Sequence, residues 1–422
     1  MTAPSGALRT RPPWIVVTLG FAAIVFDGYD LIVYGSAVPA LLAEPGWHLT
    51  PPRVGAIGGL ALLGMFAGAI GAGTVTDRIG RRRTFIGALA WFSVMMLAVA
   101  AAPTPELLGL ARFLAGLGFG GIAPIAIALV VEVAPSSRRN LLNAVMLCGF
   151  PVGGVLAAVA GIALIEPAGF RVLFALGGLP LLTLVPLAIR FLPESPGFVA
   201  RASGERARSA GLLRGRSAIA LTLFAVANVA GFLLVYGLNI WLPQLMRQSG
   251  YPLGSAISFL LVFNLGAVVG GLSGSALADR FGARWVATTA FGIGVVSIGL
   301  LAVPFPTPVL YALIAVAGAA SVGTQIVVFG YVALHFAAQN RATALGISTG
   351  VGRLGAAAGP LVGGFLIASG IDLGWNFAAF AAVALVGALA SVAVPQLVAP
   401  PERTSTTPAT STTPASTVAA TP

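Results

Sequence analysis

Two acidic side chains interrupt a long apolar segment near the start of the chain. Asp27 and Asp30 belong to the tetrapeptide Asp27-Gly28-Tyr29-Asp30, inside the apolar run 14–42. Residues three positions apart share one face of a helix. A charge at the centre of a bilayer costs roughly 2.5–3.5 kcal/mol on insertion scales, and a low dielectric favours the protonated form of a carboxyl group. We therefore predict that Asp27 and Asp30 bind and release protons as the protein works.

Two arginines interrupt other apolar runs and are the natural partners of these carboxyl groups. Arg112 and Arg353 each carry a planar guanidinium, which binds a carboxylate through two parallel hydrogen bonds. One can bind the carboxylate of a substrate while the other neutralises an aspartate; a permanent structural ion pair is the alternative. Tyr34 lies one helical turn beyond Asp30 on the same face and is predicted to join the substrate-binding group. Further aromatic candidates for the lining of a site are Phe119, Phe150, Tyr236, Trp241, Phe263 and Phe329.

The composition identifies the class of protein that positions these residues. The chain has 422 residues, of which 58% are hydrophobic and 8% charged, whereas soluble domains average about 25% charged residues. We predict an all-α polytopic membrane protein, since a helix needs about 20 apolar residues to cross a bilayer. The twelve predicted spans are 14–42, 53–76, 84–102, 106–132, 141–165, 170–192, 218–245, 254–278, 285–304, 308–334, 343–368 and 374–397.

The arginines predict the orientation of these spans. All 23 basic residues are arginine, and with the N-terminus inside, 18 of them lie in inner segments and three in outer segments. Positive charge accumulates in cytoplasmic loops, so both termini are predicted to be cytoplasmic, in a multi-pass protein of the cytoplasmic membrane. This bias also accounts for most of the formal net charge of +11 without a nucleic acid partner.

The chain divides into two related halves. Asp77-Arg78 and Asp279-Arg280 are separated by 202 residues, as are Arg139 and Arg341, which predicts two pseudo-symmetric six-helix bundles from a duplication. The position 202 residues after Asp27 is Val229, so the second half has no matching acid. The predicted segments are 1–13 (cytoplasmic), 14–192 (N-terminal bundle), 193–217 (cytoplasmic central loop), 218–397 (C-terminal bundle) and 398–422 (a disordered cytoplasmic tail rich in Pro, Thr and Ser).

The charged segment after the second span predicts a gate. Ion pairs that break and re-form there would bias the protein between inward-open and outward-open states. Charge that only sets topology is the alternative. The residues assigned to gating are Asp77, Arg78, Gly80, Arg82, Glu132, Asp279 and Arg341.

Several of these motifs resemble those of a known transporter family. Residues 73–82 fit Gly-x-x-x-Asp-Arg-x-Gly-Arg-Arg, which resembles the loop signature of the major facilitator superfamily. Leu-Pro-Glu-Ser-Pro at 192–196 is similar to a motif of its sugar, organic-cation and aromatic-acid branches. The tetrapeptide at 27–30 resembles the Asp-Gly-x-Asp motif of the aromatic acid:proton symporter family, and segments 112–121 and 341–355 fit that family as well.

The resemblance implies a function. A member of that family would take up a benzoate, a hydroxybenzoate or a similar carboxylate together with protons, by alternating access between two bundles, without enzymatic activity or a cofactor. The chain departs from the pattern in its short central segment and in Phe336-Ala337, where Tyr-Pro is expected. The alternatives are a symporter of non-aromatic organic acids and a drug/proton antiporter; a receptor that binds without transporting ranks lower. Against export, segment 150–154 lacks the Gly-Pro-x-x-Gly-Gly motif of antiporters.

The remaining residues add no second chemistry. His48 and His335 have no neighbouring metal ligands in the sequence, and no metal site is predicted. We expect a monomer. The sequence leaves open which acid is carried, how many protons accompany it, and whether Arg112 or Arg353 binds it.

Overall fold

Fourteen α-helices carry the part of the chain that the structure describes. The structure is a computed structural model, and it describes residues 13–135, 139–193, 215–336 and 338–395. The predicted N-terminal segment, most of the central loop and the tail therefore lie outside it. The helices are α1 (Pro13–Ala43), α2 (Pro51–Ile79), α3 (Arg81–Ala101), α4 (Pro105–Val133), α5 (Arg139–Leu147), α6 (Gly149–Leu176), α7 (Leu184–Phe191), α8 (Gly215–Gln248), α9 (Leu253–Phe281), α10 (Ala283–Leu300), α11 (Thr307–Gly318), α12 (Thr324–His335), α13 (Ala338–Ala368) and α14 (Leu373–Ala393).

Most predicted spans correspond to one long apolar helix. Within the described residues, 11 helical stretches have the length and apolar composition to cross a membrane, and the all-α membrane class is confirmed. The sixth predicted span, 170–192, differs because it is interrupted. A short 3₁₀ turn at Leu179–Leu181 separates the end of α6 from the short helix α7. Gly169, in the predicted gap between the fifth and sixth spans, has a φ of 74°, which turns the chain inside α6.

The helix boundaries repeat along the chain with the predicted offset of 202 residues. Gly80 and Gly282 follow α2 and α9, and each has a positive φ, 92° and 87°, that glycine adopts without steric strain. Each glycine ends one helix and allows the next to begin at once. The other matching boundaries are the starts of α1 and α8 (13 and 215), the starts of α2 and α9 (51 and 253) and the starts of α4 and α11 (105 and 307).

One wide turn distinguishes the second half from the first. A π-helical segment, Ala319–Gly323, joins α11 to α12, whereas the corresponding helix α4 is continuous. Such turns insert an extra residue into a helix and often mark functional sites. Here the turn immediately precedes Thr324 and Gln325, both of which are buried.

The two halves meet tightly at one end of the bundle. We call the end that carries Gly80 and Gly282 the turn end, and the opposite end, where α1 finishes and α2 begins, the far end. At the far end a side chain on Gly35 would collide with the backbone carbonyl of Asn239, and one on Gly55 with that of Pro360. The absence of side chains therefore lets α1 lie against α8, and α2 against α13, with backbone in contact.

Candidate functional site

A cavity of about 440 Å³ lies between the two halves and extends from the middle of the helices toward the turn end. Its volume is typical of sites for small organic molecules. Apolar and aromatic side chains dominate its lining, with a few polar groups among them. The lining residues used below are Asp27, Phe119, Phe150, Phe232, Tyr236, Gln325, Phe329, Thr349 and Arg353.

Asp27 faces this cavity from the first half. It lies near the middle of α1 and is 7% exposed, and its Oδ1 atom is buried without a hydrogen-bond partner in the described residues. The next residue, Gly28, allows the backbone of α6 to touch α1, since a side chain there would collide with the carbonyl oxygen of Phe150. This close contact places Asp27 and Phe150 side by side at the wall of the cavity.

Arg353 faces the same cavity from the second half. It lies near the middle of α13, and its guanidinium acts electrostatically on the Asp27 carboxyl group. No ion pair within 4.0 Å joins the two, and Arg353 has no hydrogen bond to any described residue. The cavity therefore contains one acid and one base from opposite halves, neither neutralised by direct contact.

Aromatic rings surround these charged groups. Phe150 of the first half and Tyr236 of the second pack edge to face across the interface, with ring centroids 6.2 Å apart. Phe232 lies 5.9 Å from Tyr236 and 6.0 Å from Phe329. Four of the seven aromatic residues that the sequence analysis proposed line the cavity, namely Phe119, Phe150, Tyr236 and Phe329.

Asp30, Arg112 and Tyr34 form a separate cluster outside the cavity lining. Arg112 donates from Nη1 to Oδ1 of Asp30 at 3.1 Å, and both residues are 1% exposed. The guanidinium carbon of Arg112 lies 4.5 Å from the ring centroid of Tyr34, a cation–π contact. The Tyr34 hydroxyl donates to the backbone carbonyl of Val54 at 2.7 Å. The five residues that the sequence analysis grouped are thus divided between two places, with Tyr34 and Arg112 beside Asp30, and Arg353 beside Asp27.

A pair of amides was missed by the sequence analysis. Gln325, which lines the cavity, donates from Nε2 to Oδ1 of Asn228, and Asn228 donates from Nδ2 to the carbonyl of Phe224 at 2.9 Å. Amide side chains in a membrane interior are stabilised when they bond to each other. The signal that could have found them is the one that identified Asp27, a polar side chain inside a predicted apolar span.

The predicted gating residues lie at the turn end. Arg82 donates to the carbonyl of Ile189 at the end of α7, and Arg284, 202 residues later, donates to that of Val392 at the end of α14. Both of these bonds connect helices within one half. Arg78, Asp279 and Arg341 are exposed, and Gly80 forms the turn between α2 and α3. The side chains of Asp77 and Glu132 lie outside the described part of the structure.

No group that could hold a metal was found among the described residues. A cluster of three or more His, Cys, Asp or Glu side chains does not occur there. His335 packs instead among aromatic rings, with centroids 5.2 Å from Phe224 and 5.8 Å from Tyr331.

Comparisons with known proteins cover most of the chain. The family profile described as Major Facilitator Superfamily matches residues 20–275 and 254–421. A gentisate transporter of Corynebacterium glutamicum is 37% identical over 382 residues, which cover 89% of this chain and 86% of the relative. A benzoate transport protein of Acinetobacter baylyi is 33% identical over 411 residues, covering 89% of this chain and 88% of the relative.

Solved structures show the same fold. A crystal structure of a D-xylose-proton symporter matches with a TM-score of 0.73 and 19% sequence identity, covering 91% of this chain and 98% of the other. At this identity, the likeness concerns the arrangement of helices alone.

Proposed function

We propose that this chain, which belongs to the major facilitator superfamily, carries an aromatic carboxylate into the cell together with protons. Its relatives include transporters named for gentisate and benzoate, both of which are aromatic carboxylates. The observation that carries the proposal is the cavity in which Asp27 and Arg353, from opposite halves, face one space lined by aromatic rings.

Arg353 supplies the group that would bind the substrate carboxylate. Its guanidinium has no ion pair with a described residue, so its donors are available to a carboxylate in the cavity. The rings of Phe150, Phe232, Tyr236 and Phe329 supply apolar edges and faces against which an aromatic ring would stack. An aromatic ring that bears a carboxylate therefore matches both parts of the site, the guanidinium and the aromatic lining.

Asp27 supplies the group that would carry the proton. It faces the cavity, and its Oδ1 atom has no hydrogen-bond partner among the described residues. A carboxyl group in so apolar a lining can take up a proton more readily than one in water. Asp30, which the sequence analysis also assigned to proton coupling, is hydrogen-bonded to Arg112. We propose that Asp27 is the carrier and that Asp30 holds Arg112 and the helix packing around it.

The proposed transport cycle is based on the difference between the two ends of the bundle. We propose that the turn end is cytoplasmic, because the arginines cluster in its loops, and that the protein lies in the cytoplasmic membrane as a monomer. The tight far end then faces outward, and the cavity that extends toward the turn end represents an inward-facing form. Movement of the N-terminal bundle against the C-terminal bundle would expose the site alternately, with the gating residues at the turn end.

The proposal is tested by uptake into proteoliposomes. Purified protein is reconstituted, and accumulation of labelled benzoate and gentisate is measured with an acidic exterior, without a pH gradient, and with a protonophore. We expect concentrative uptake with the gradient and equilibration without it. A panel of aliphatic carboxylates and cationic drugs, measured in the same vesicles, separates the alternatives.

The outcomes distinguish the candidate functions. Accumulation of aliphatic but not aromatic acids would indicate the related organic-acid symporter. Extrusion that requires an inward-directed proton gradient would indicate an antiporter. Saturable binding without accumulation in either direction would contradict transport.

A further inference from the structure

We propose that Tyr236 links substrate binding to protonation of Asp27. Its hydroxyl would donate its single hydrogen bond either to the Asp27 carboxylate or to the substrate carboxylate. This inference rests on the proposed function and gives a positioning role to a residue that the sequence analysis proposed only as part of the lining of a site.

Tyr236 is the counterpart of Tyr34 in the duplicated sequence. The two tyrosines are separated by 202 residues, the same offset that relates the starts of α1 and α8. Their hydroxyl groups have diverged in use, since that of Tyr34 donates to the Val54 carbonyl at 2.7 Å. The Tyr236 hydroxyl has no hydrogen bond to any described residue, and Tyr236 lines the cavity whereas Tyr34 does not. Tyr34 thus uses its hydroxyl to stabilise the fold, whereas the hydroxyl of Tyr236 is available to the site.

The charged groups around Tyr236 are those of the proposed site. Asp27, Arg353 and Tyr236 line the same cavity, so the Tyr236 hydroxyl experiences charges of both signs. Beyond these, Asp30 acts on Asp27 and is itself bonded to Arg112.

The other titratable groups on helices packed against α8 lie elsewhere. His335 and Tyr331 of α12 pack on Phe224, three turns from Tyr236 along α8. Asp279, Arg280 and Arg341 are exposed at the turn end. In the described residues, Asp27 and Arg353 are therefore the charges that a hydroxyl at Tyr236 would sense.

Tyr236 also spans the boundary between the halves. Its ring packs edge to face on Phe150 of the first half, while its backbone belongs to α8 of the second. Asp27 lies on the Phe150 side of this boundary and Arg353 on the other. The hydrogen bond of Tyr236 can therefore make the protonation of Asp27 in the first half depend on what is bound to Arg353 in the second.

A hydroxyl in this position couples two equilibria, because it is one donor facing two acceptors. The structure contains no hydrogen bond between Tyr236 and Asp27; such a bond, from the Tyr236 O–H to the carboxylate, would form when Asp27 ionises in the empty cavity. When a substrate carboxylate binds Arg353, the O–H turns to donate to that carboxylate, and Asp27 loses its donor. Once Asp27 is protonated, it donates its own O–H to the Tyr236 oxygen, so the two residues are again joined by a hydrogen bond. Substrate binding thus favours protonation of Asp27, and protonation favours substrate binding to the same degree.

The experiment compares Tyr236→Phe with Tyr311→Phe in the full-length protein. The control removes a hydroxyl of the same half that bonds to Ser258 and lies outside the cavity lining. Equilibrium binding of labelled benzoate is measured in detergent at about pH 5.5 and about pH 8, where coupling of ordinary size changes affinity about 10-fold. We expect this ratio of dissociation constants to fall toward one in Tyr236→Phe and to persist in Tyr311→Phe.

The outcomes separate this inference from the proposed function. A Tyr236→Phe protein that keeps the wild-type ratio of affinities overturns the role of Tyr236, whether or not it transports. If Tyr236→Phe binds too weakly to measure, substrate protection against thermal unfolding at the two pH values supplies the same ratio, and an unchanged ratio again overturns it. Wild-type protein that neither binds nor accumulates an aromatic acid would instead contradict the proposed function itself.

Discussion

Asp27 and Asp30 lie one helical turn apart on α1, yet they face different surroundings. Asp30 accepts a hydrogen bond from Arg112 at 3.1 Å in a cluster outside the cavity lining. Asp27 faces the cavity, and its Oδ1 atom has no partner among the described residues. The two carboxyl groups are both buried but have different neighbours, so substitution of each should produce a different defect.

Replacement of Asp27 should uncouple transport from the proton gradient. An amide at this position is permanently neutral, so Asp27→Asn can mimic the protonated state but cannot release the proton. We expect gradient-driven accumulation of benzoate to fall to the equilibrium level, while exchange of labelled for unlabelled benzoate continues. Uptake and exchange are measured in the same proteoliposomes.

A matched control is available on the surface. Glu106→Gln removes an exposed carboxylate that pairs with Arg53 at 3.4 Å, and ion pairs of this kind contribute little to stability. It should accumulate substrate like the wild type. Accumulation by Asp27→Asn at the wild-type level would show that the proton is carried elsewhere.

Replacement of either partner of the Asp30–Arg112 pair should destabilise the fold. Breaking a buried ion pair leaves one charge uncompensated and typically costs about 3–5 kcal/mol. Asp30→Asn and Arg112→Gln should each lower the apparent melting temperature in detergent, and the double variant should lose less than the sum of the two. Additive losses in this double-mutant cycle would show that the pair is not coupled.

Replacement of Arg353 should weaken binding of the carboxylate in particular. Arg353→Lys keeps the charge but loses the planar two-pronged geometry, and a charge-assisted hydrogen bond is worth about 1.5–3 kcal/mol. We expect the KM for benzoate to rise about 10-fold or more.

The methyl ester of benzoate tests whether that loss concerns the carboxylate. As a competitor of benzoate uptake, the ester should be much weaker than benzoate in the wild type and closer to it in Arg353→Gln. Equal discrimination between acid and ester in the two proteins would remove Arg353 from the site.

A side chain at Gly35 should prevent closure of the far end. Gly35→Ala would place a methyl group against the Asn239 carbonyl, which forces α1 away from α8. The reporter is Ile240→Cys in a Cys148→Ser background, because Ile240 is 2% exposed beside this contact. We expect faster labelling by an impermeant maleimide from outside.

A glycine at the same end provides the control. Gly254 at the start of α9 has open space around its Cα, so Gly254→Ala should leave the labelling rate unchanged. Equal rates in Gly35→Ala and Gly254→Ala would mean that the backbone contact does not hold the far end shut.

The membrane class, the internal repeat and the charged residues within the spans could be predicted from the sequence, because each depends on neighbouring residues alone or on a fixed spacing. A carboxylate or guanidinium inside an apolar run is costly wherever the run packs, so Asp27 and Arg353 could be identified without a structure. The offset of 202 residues likewise anticipated the paired helix boundaries and the matching turns at Gly80 and Gly282. The 3₁₀ turn at Leu179–Leu181 inside the sixth predicted span was missed because the run stays apolar across it.

The grouping of side chains could not be predicted, because it depends on how helices rotate against one another. Tyr34 shares a face with Asp30, as predicted, but that face turns toward Arg112 and not toward the cavity. Its counterpart Tyr236 looks equivalent in sequence and is placed differently by the packing of α8. Gln325 was missed because an amide carries no charge and therefore stands out less within an apolar span.

The far-end contact has a consequence for the conditions under which the protein can work. Backbone carbonyls of Asn239 and Pro360 meet glycines there, and neither partner titrates or carries a net charge. A seal of this kind is formed by shape, so its strength should change little with the acidity or salinity of the surrounding medium. If the protein is driven by protons, its binding site would then respond to pH, whereas the closure at the far end would not.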